Sequence, residues 1–442
     1  MQINSNSSPL LRNFFGDNQT LIQASATGRL DVMGGIADYS GSLVLQMPIK
    51  EKATVTIGHR GYNQLHIKSL DIQTNNELFI DLADLPRNYN DANTYIKQLQ
   101  GGDWASYIIG CFLVLLNEKS IKASGLDILI SSEVPAGKGV SSSAAIEVAT
   151  LKALAELFSI EFTGTLLPTL AQKAENLVVG APCGLMDQLA SYFGKPNYLL
   201  PILCQPDKIF SGIKIPDNLY FIGIDSGIRH AVSGASYGEV RTAASMGFSI
   251  IAQKQGVSRK DLALNEPHLL PFSGFLSNIS PSQYESKYAQ SLRSMYGKDF
   301  LNDYGIVIDP LANVKAGTYY NIKSSTQHPI YENYRVRLFT EMLKMLTPAN
   351  HEEVLPLMGE LMYQSHQSYS DCGLGNEHTD MIVDLAHSLG TKSSVYGAKI
   401  TGGGSGGTVC IMVYGEKGLV AAKEIMNLYQ QKTKQTSLVL FM

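Results

Sequence analysis

Hydrophobic and polar positions alternate in the first third of the chain in a pattern that predicts β-strands at residues 41–47, 53–57 and 126–131. Apolar residues then recur at helical spacing from 144 to 158 and from 166 to 179, which predicts two amphipathic helices, the second ended by a glycine. Similar segments alternate through the rest of the chain. The pattern therefore favours a mixed α and β protein.

A stretch without periodicity separates the two halves of the chain, and its prolines place a domain boundary near residue 215. The predicted organisation is a polar, loosely held arm over residues 1–20, an N-terminal lobe over 21–215 and a C-terminal lobe over 216–442. Residues 255–325 are polar and rich in aromatic residues but have no clear period, which indicates an insertion.

Composition narrows the class of protein before any motif is considered. The 442 residues contain 35 Lys and Arg against 39 Asp and Glu, a formal net charge of −4, and 44% of them are apolar. This balance is typical of a globular protein and argues against a nucleic-acid partner, because binding a phosphate backbone needs a basic face. The longest apolar run, residues 107–116, is too short to span a bilayer.

The location of the protein is predicted from its N-terminus and its cysteines. The first residues lack the basic and then apolar order of a signal peptide. The cysteines are scattered, odd in number and without a C-x-x-C pair, which favours reduced thiols. We therefore expect a cytoplasmic protein without a membrane partner.

Glycines and serines are concentrated at residues 135–144, which read P-A-G-K-G-V-S-S-S-A between a predicted strand and a predicted helix. The glycines would let backbone amides approach an anion, and the serines at 141–143 would stand at the helix N-terminus, where free N–H groups favour phosphate. The segment is not a Walker A loop, because a glycine and not Ser or Thr follows the lysine. An ordinary glycine turn capped by serine is the alternative.

Two further segments combine glycines with unusual patterns. Residues 402–407 contain five glycines in six positions, which indicates that a phosphate or another loop approaches the backbone. Residues 28–41 are apolar and glycine-rich but contain Arg29, Asp31 and Asp38. A flexible hairpin and a solvated ion pair are the respective alternatives for the two segments, each taken alone.

Four segments together resemble the signature motifs of the GHMP small-molecule kinases, specifically those of the galactokinase branch. Residues 28–41 resemble the sugar motif G-R-x-N-x-x-G-E-H-x-D-Y-x-G, and residues 135–144 resemble the phosphate loop. Residues 183–188, C-G-L-M-D-Q, resemble the family's C-G-I-M-D-Q, and residues 399–407 its C-terminal glycine motif. The resemblance implies a two-lobed α/β (α+β) fold. Its N-terminal lobe would resemble domain 2 of ribosomal protein S5, its C-terminal lobe would be ferredoxin-like, and the active site would lie in the cleft between them.

The resemblance also implies roles for individual residues. Asp187 would accept the proton of a sugar's anomeric hydroxyl or orient that hydroxyl, and Arg29 would lie beside Asp187 and the transferred phosphoryl group. Mg²⁺ would bind Ser143 and Glu175. The ATP ligands would be Gly137, Lys138, Gly139, Val140, Ser141, Ser142, Ser143 and Trp104, with the glycine motif at Gly402, Gly403, Gly404 and Ser405. The sugar ligands would be Gly35, Asp38, Tyr39, Gly184 and Tyr237.

One departure from the galactokinase pattern concerns the sugar. Where the family has Gly-Glu-His, this chain has Gly34, Gly35 and Ile36, and the family glutamate is the residue associated with the 6-hydroxyl of galactose. A site without that acceptor suits a sugar without that hydroxyl. L-Arabinose is such a sugar, and the segment also resembles that of plant L-arabinokinases. We therefore expect L-arabinose and ATP to give β-L-arabinose 1-phosphate and ADP, and a Gly35→Glu exchange to favour galactose.

Two other departures are changes of charge. Asp31 replaces the family asparagine and would add a negative charge close to Arg29, and Lys138 replaces a small residue of the phosphate loop, where it could face phosphate or water. Galactose and galacturonate remain alternative substrates, and a catalytically inactive sugar sensor remains an alternative of another class. The expected partners are the sugar and ATP, in a monomer or weak oligomer.

Overall fold

The computed structural model describes residues 1–119, 121–122, 124–229, 235–435 and 440–441. The chain forms two compact units, each assembled from separate stretches of sequence. The first unit comprises Met1–Arg29, Pro48–Ala136 and Ser141–Gly194. The second unit comprises Leu30–Met47, Gly137–Val140 and Lys195–Met442. The predicted lobe boundary near residue 215 stays a prediction.

Strands and helices alternate along the chain. The strands are β1 (Gln2–Asn4), β2 (Thr20–Met33), β3 (Leu43–His59), β4 (Gln64–Ser69), β5 (Glu77–Asp81), β6 (Leu126–Ser132), β7 (Tyr198–Leu203), β8 (Lys208–Ile209), β9 (Ile213–Lys214), β10 (Leu219–Asp225), β11 (Met295–Tyr296), β12 (Tyr319–Tyr320), β13 (Val395–Ile400), β14 (Thr408–Tyr414) and β15 (Leu440–Phe441). The helices are α1 (Pro9–Phe15), α2 (Tyr89–Gln98), α3 (Gly102–Glu118), α4 (Ser142–Leu157), α5 (Leu166–Ala174), α6 (Met186–Phe193), α7 (Ala235–Lys254), α8 (Arg259–Leu264), α9 (Pro281–Lys287), α10 (Gly297–Asp303), α11 (Ile322–Met345), α12 (His351–Asp371), α13 (Glu377–Leu389) and α14 (Gly415–Thr433).

The first unit is built on a mixed sheet in which the strands follow the order β1-β2-β3-β6-β4-β5. Strand β6 is antiparallel to β3, with Ala53 opposite Ser132, and parallel to β4, with Leu65 opposite Leu126. Helix α3 is buried along nearly its whole length and shares one apolar core with α4, α5 and the sheet. Because α3 is apolar on all sides, it has the composition of a helix enclosed by other elements.

One element of this region differs from the sequence prediction, and a second agrees with it. The strands predicted at 41–47 and 53–57 are one continuous strand, β3, whose partner changes along its length from β7 to β6. Pro48 lies between the two paired stretches, where its missing N–H leaves no gap in either ladder. The helix predicted over 166–179 is confirmed as α5 followed by a π-helical turn, Glu175–Val179, which ends at Gly180 with φ +85°.

The first twenty residues, predicted as an arm, contain β1 and α1. Strand β1 pairs with β2 through Gln2 opposite Ile22, and helix α1 begins at Pro9 with Ser8 as its N-cap. Leu11 is buried in a small apolar cluster with Leu21 and Leu129. Backbone pairing and apolar contact therefore both hold this segment against the sheet of the first unit.

The second unit contains a sheet in the order β13-β14-β10-β15, in which all neighbours are antiparallel. Helices α13 and α14 cover this sheet through an apolar core that includes Ile222, Ile411 and Tyr429. The long helices α11 and α12 pack against each other, and α12 packs on β13. Residues 255–325 fold into short helices and the β11–β12 pair around a core with Phe300 and Tyr320.

A search of the described residues for helices long and apolar enough to cross a membrane found none.

Candidate active site

Arg29 and Asp187 form an ion pair within the first unit. Arg29 lies near the end of β2 and Asp187 in the first turn of α6. Nη2 of the guanidinium is 2.9 Å from each carboxylate oxygen, and Nε is 3.0 Å from Oδ1. The arginine side chain is 4% exposed and the aspartate side chain 24% exposed. A buried cation therefore fixes a carboxylate that keeps one accessible face.

Ser141 gives the same carboxylate a hydroxyl donor. Its Oγ lies 2.5 Å from Oδ2 of Asp187, and its backbone is left-handed, with φ 59°. Ser141 precedes α4 as the N-cap residue, yet its side chain makes no capping hydrogen bond. The serines at 142 and 143 begin the helix itself, so the N–H groups of its first turn are available to an anion.

Two further carboxylates are buried close to Asp187. The Nε2 group of Gln188 donates to Glu147 at 3.1 Å and to Glu175 at 2.6 Å, and the Cys183 thiol donates to Glu175 at 3.2 Å. Burial, together with the nearby Asp187 charge, raises the pKa of Glu175 to about 7. Burial, with the Glu175 charge, also raises the pKa of Glu147 well above its usual value. The cluster therefore binds protons tightly in the absence of a cation.

In the second unit, side chains from α11 hold the Gly34–Gly35 turn of the sugar motif. Glu332 accepts a hydrogen bond from the Gly34 N–H at 3.0 Å, and His328 Nε2 lies 2.9 Å from the Gly35 carbonyl oxygen. Burial lowers the pKa of His328 to about 4, so the ring is neutral and donates to that carbonyl. Ile36 follows with φ 52°, a conformation that β-branched residues rarely adopt.

Two side chains fill the space beside Gly35, which the sequence did not predict. A Cβ added to Gly35 would overlap the hydroxyl of Tyr369 and the carboxylate of Asp31. Tyr369 comes from α12, is fully buried and donates to the Gly402 carbonyl at 2.8 Å. A glutamate at position 35 would therefore require Tyr369 or Asp31 to move, and the gain of galactose activity expected from Gly35→Glu stays a prediction.

Asp31 also differs from its predicted environment. Its Oδ2 lies 2.8 Å from Nζ of Lys399, and neither side chain is exposed to solvent. Gln46 donates to Oδ1 at 2.7 Å, and the Asp31 N–H donates to the hydroxyl of Thr401 at 2.7 Å. The negative charge expected near Arg29 is thus compensated by Lys399. A lysine between Ala398 and Ile400 in an apolar strand was the sequence signal for such a partner.

Lys138 has a partner that the sequence did not predict, and its role at the phosphates stays a prediction. Its Nζ lies 2.8 Å from Oδ2 of Asp225, whose side chain is completely buried. The Thr408 hydroxyl donates to the Lys138 carbonyl at 2.7 Å. A Cβ on Gly407 would come within 3.0 Å of that carbonyl oxygen. The glycines of 402–407 therefore admit the loop Gly137–Val140 at close range, as one of the two sequence interpretations expected.

The remaining sugar-motif residues lie around Tyr39. Asp38 is buried, and the Tyr237 ring meets the Tyr39 ring edge to face at 6.1 Å. Arg241 lies 5.6 Å from the centre of the Tyr39 ring and pairs with Asp309. Burial, together with the nearby Tyr237 hydroxyl, raises the pKa of Tyr39 well above its usual value. Asp309 lies in the stretch without periodicity, so no sequence pattern marked it.

Trp104 and Gly184, predicted as ATP and sugar ligands, both lie in the first unit. The indole N–H of Trp104 donates to the Asn75 carbonyl at 2.8 Å, and the ring packs partly against the apolar core. Gly184 is half-buried just before α6. Their roles as ligands stay predictions.

Known proteins resemble this chain over nearly its whole length. The family model of the GHMP kinase N-terminal domain matches residues 106–195, and that of the C-terminal domain matches residues 346–429. A galactokinase of Chloroflexus aggregans is 30% identical over 91% of this chain and 86% of its own length. The chain belongs to the GHMP kinase family. This confirms the family predicted from the four motifs.

Two further relatives refine the picture of this GHMP kinase. An L-arabinokinase of Arabidopsis thaliana is 39% identical over 94% of this chain, which spans 45% of the length of the plant protein. The crystal structure of Lactococcus lactis galactokinase complexed with galactose superposes with a TM-score of 0.75 over 99% of this chain and 96% of that one, at 19% identity. The predicted GHMP-kinase fold of mixed α and β elements is confirmed.

GHMP sugar kinases use ATP with Mg²⁺ as the phosphoryl donor, and the acidic cluster fits that ion. Carboxylate and hydroxyl oxygens are the donors that Mg²⁺ prefers, and it takes few protein ligands beside phosphate oxygens. Glu147 Oε1 is buried without a hydrogen-bond partner among the described residues, and the nearby Ser143 hydroxyl lowers the pKa of Glu175. Ser143 and Glu175 are the residues that would hold the ion.

Proposed function

We propose that this GHMP kinase transfers the terminal phosphoryl group of ATP to the anomeric hydroxyl of L-arabinose, giving β-L-arabinose 1-phosphate and ADP. The galactokinase-type family membership supports sugar phosphorylation in general. The similarity to the plant L-arabinokinase and the glycine at position 35 support the pentose in particular.

The observation that carries the proposal is the ion pair of Arg29 and Asp187 with the Ser141 hydroxyl on the same carboxylate. Phosphoryl transfer requires an aligned nucleophile and compensation of charge more than covalent chemistry. Asp187 would align the anomeric hydroxyl and accept its proton. Arg29 would hold the carboxylate in place and stabilise the negative charge that develops on the phosphoryl oxygens.

The nucleotide would be bound by backbone groups of 137–143 and by the free N–H groups at the start of α4. Bound Mg²⁺ would neutralise part of the phosphate charge. Lys138 is proposed to shape this loop through Asp225 rather than to contact phosphate, since its ammonium already has a buried partner. Asp38, Tyr39 and Tyr237 are the proposed ligands of the sugar hydroxyls.

The substrate is tested by assaying the purified chain with Mg-ATP on L-arabinose, D-galactose and D-galacturonate side by side. We expect kcat/KM for L-arabinose to exceed that for either other sugar by about tenfold or more. The group at C6 of the other sugars would lack a hydrogen-bond partner at position 35, and one missing contact in a sugar site has an effect of that size. A preference for galactose would contradict the pentose assignment while leaving sugar phosphorylation intact. ATP binding without turnover on any sugar would instead indicate the inactive sensor.

A further inference from the structure

The backbone conformation at position 35 does not explain why this residue is a glycine. The neighbouring Gly34 has φ +105°, in the region where an L side chain is strained. Gly35 lies outside that region, so its backbone would accept any side chain. A side chain is excluded by the surroundings, because its Cβ would overlap Tyr369 and Asp31.

Tyr369 has several partners that keep its ring in place. Its hydroxyl donates to the Gly402 carbonyl, its ring lies edge-on to the His328 ring at 5.4 Å, and the Lys399 ammonium is 5.4 Å from the ring centre. The ring also belongs to an apolar cluster that contains Ile36. Moving the tyrosine aside would therefore break a hydrogen bond and open a packed core.

The Gly34–Gly35 turn and Asp31, which also take part in the overlap, are held in place as firmly as Tyr369. His328 and Glu332 hold the Gly34–Gly35 backbone through two hydrogen bonds. Asp31 is held by Lys399 and Gln46, with both carboxylate oxygens used. Neither the turn nor the aspartate can move away from a new side chain without leaving a buried polar group unpaired.

We infer that Tyr369 is a specificity-determining residue for the sugar. Its side chain occupies the place from which a side chain at position 35 would extend. Tyr369 therefore keeps out of the site a side chain at position 35 that could accept a hydrogen bond from an exocyclic sugar hydroxyl. The inference rests on the proposed function, in which the preferred sugar lacks that hydroxyl. Selectivity is then set by Gly35 and Tyr369 together, and neither exchange alone creates a galactose site.

The steric part is tested by a double-mutant cycle in thermal unfolding, which involves no sugar. We expect Gly35→Ala to lower the unfolding temperature by about 3 °C or more in the wild-type background, since overpacking a rigid core is destabilising. In the Tyr369→Leu background the same exchange should lower it by less than about 1 °C. The matched control is Tyr363→Leu, a tyrosine of the same helix that packs on His387, and it should not relieve the effect.

The selectivity part is tested by kcat/KM for D-galactose relative to L-arabinose. We expect Gly35→Glu alone to leave this ratio unchanged or to yield poorly active protein. Combining Gly35→Glu with Tyr369→Leu should raise the ratio about tenfold or more above that of Gly35→Glu, whereas combining it with Tyr363→Leu should not.

Additive effects of the two exchanges in the thermal cycle would overturn the inference. A gain of galactose activity from Gly35→Glu alone would also overturn it. So would an unchanged ratio of kcat/KM for D-galactose to that for L-arabinose in a folded Gly35→Glu/Tyr369→Leu variant. Failure of the proposed function is seen separately, in the wild-type assay. A wild-type preference for galactose would overturn the proposed substrate and the selectivity role together, while the thermal cycle would still report the packing.

Discussion

The guanidinium of Arg29 contacts both carboxylate oxygens of Asp187, with Nη2 2.9 Å from each oxygen and Nε 3.0 Å from Oδ1. The residues are far apart in sequence, and each comes from a different motif of the first unit. The arginine is almost wholly buried and the carboxylate is partly exposed, so the pair presents its anionic end outward. Such an arrangement suits a base that must meet a hydroxyl group.

Asp187→Asn should reduce kcat about 10²–10⁴-fold, because the amide cannot accept the sugar proton. Affinity for ATP should be nearly unchanged, which equilibrium binding of ATP to the variant would measure. Asp91→Asn is the control, since Asp91 also lies in the first turn of a helix but is exposed. Turnover near the wild-type rate in Asp187→Asn would remove Asp187 from the proposed role.

Arg29→Lys should lower kcat by about 10²-fold or more, although the charge is retained. A lysine cannot reproduce the hydrogen bonds of Nε and Nη2, so Asp187 loses its fixed orientation and the phosphoryl oxygens lose a donor. Steady-state kinetics on L-arabinose would measure the loss. Arg60→Lys, at the Arg60–Asp127 pair of the same unit, should leave kcat unchanged; equal losses in both variants would argue against a specific role.

Lys138→Met should lower the free energy of unfolding by about 3 kcal/mol, because it leaves the buried Asp225 carboxylate without its cation. Adding Asp225→Asn should restore most of that loss. Chemical unfolding of the single and double variants provides the measurement. Lys173→Met, at an exposed pair with Glu118, should change stability by less than about 1 kcal/mol. A Lys138→Met variant of normal stability would return this lysine to a direct role at the phosphates.

His328 should make stability depend on pH in the acid range. Its pKa is lowered by burial from 6.5 to about 4, so the unfolded chain binds a proton between these values and the folded chain does not. The stabilisation is therefore fully present above about pH 6.5 and is lost as pH falls toward 4, by roughly 3 kcal/mol in all.

Replacing this histidine tests that sign. His328→Asn should remove the corresponding part of the pH dependence, as measured by chemical unfolding at a series of pH values. His268→Asn should preserve it, because the His268 side chain is 72% exposed. A His328→Asn variant with the same pH dependence of stability as the wild type would contradict the neutral, buried ring.

Local patterns predicted the parts of the candidate site that are contiguous in sequence. The serines at 141–143 were evident from residue types and spacing, whereas Asp187 and Arg29 were singled out only by the resemblance to the family motifs. The structure brings Ser141, Arg29 and Asp187 together. The filling of the space beside Gly35 could not be predicted in this way. It depends on Tyr369, which lies far along the chain on a long amphipathic helix where a tyrosine is an ordinary core residue.

The secondary structure, too, was predicted where it depends on neighbouring residues and not where it depends on residues distant in sequence. Period-two alternation predicted both parts of β3, but not their union, because Pro48 usually signals a break and is tolerated here only where the strand changes partner. The ion pairs of Lys138 and Lys399 were likewise not predicted. Their partners, Asp225 and Asp31, are distant in sequence. Residues that only the tertiary structure brings together show no characteristic spacing in the sequence.

The interleaving of the two units along the chain has a consequence for biosynthesis. By Gly194 every segment of the first unit has been synthesised, whereas Leu30–Met47 and Gly137–Val140 belong to a unit whose main part begins only at Lys195. The side chains that hold the Gly34–Gly35 turn, His328 and Glu332, are synthesised only when translation reaches α11. A chain released after residue 194 would therefore contain every segment of one unit and lack the side chains that hold the glycine turn of the sugar motif.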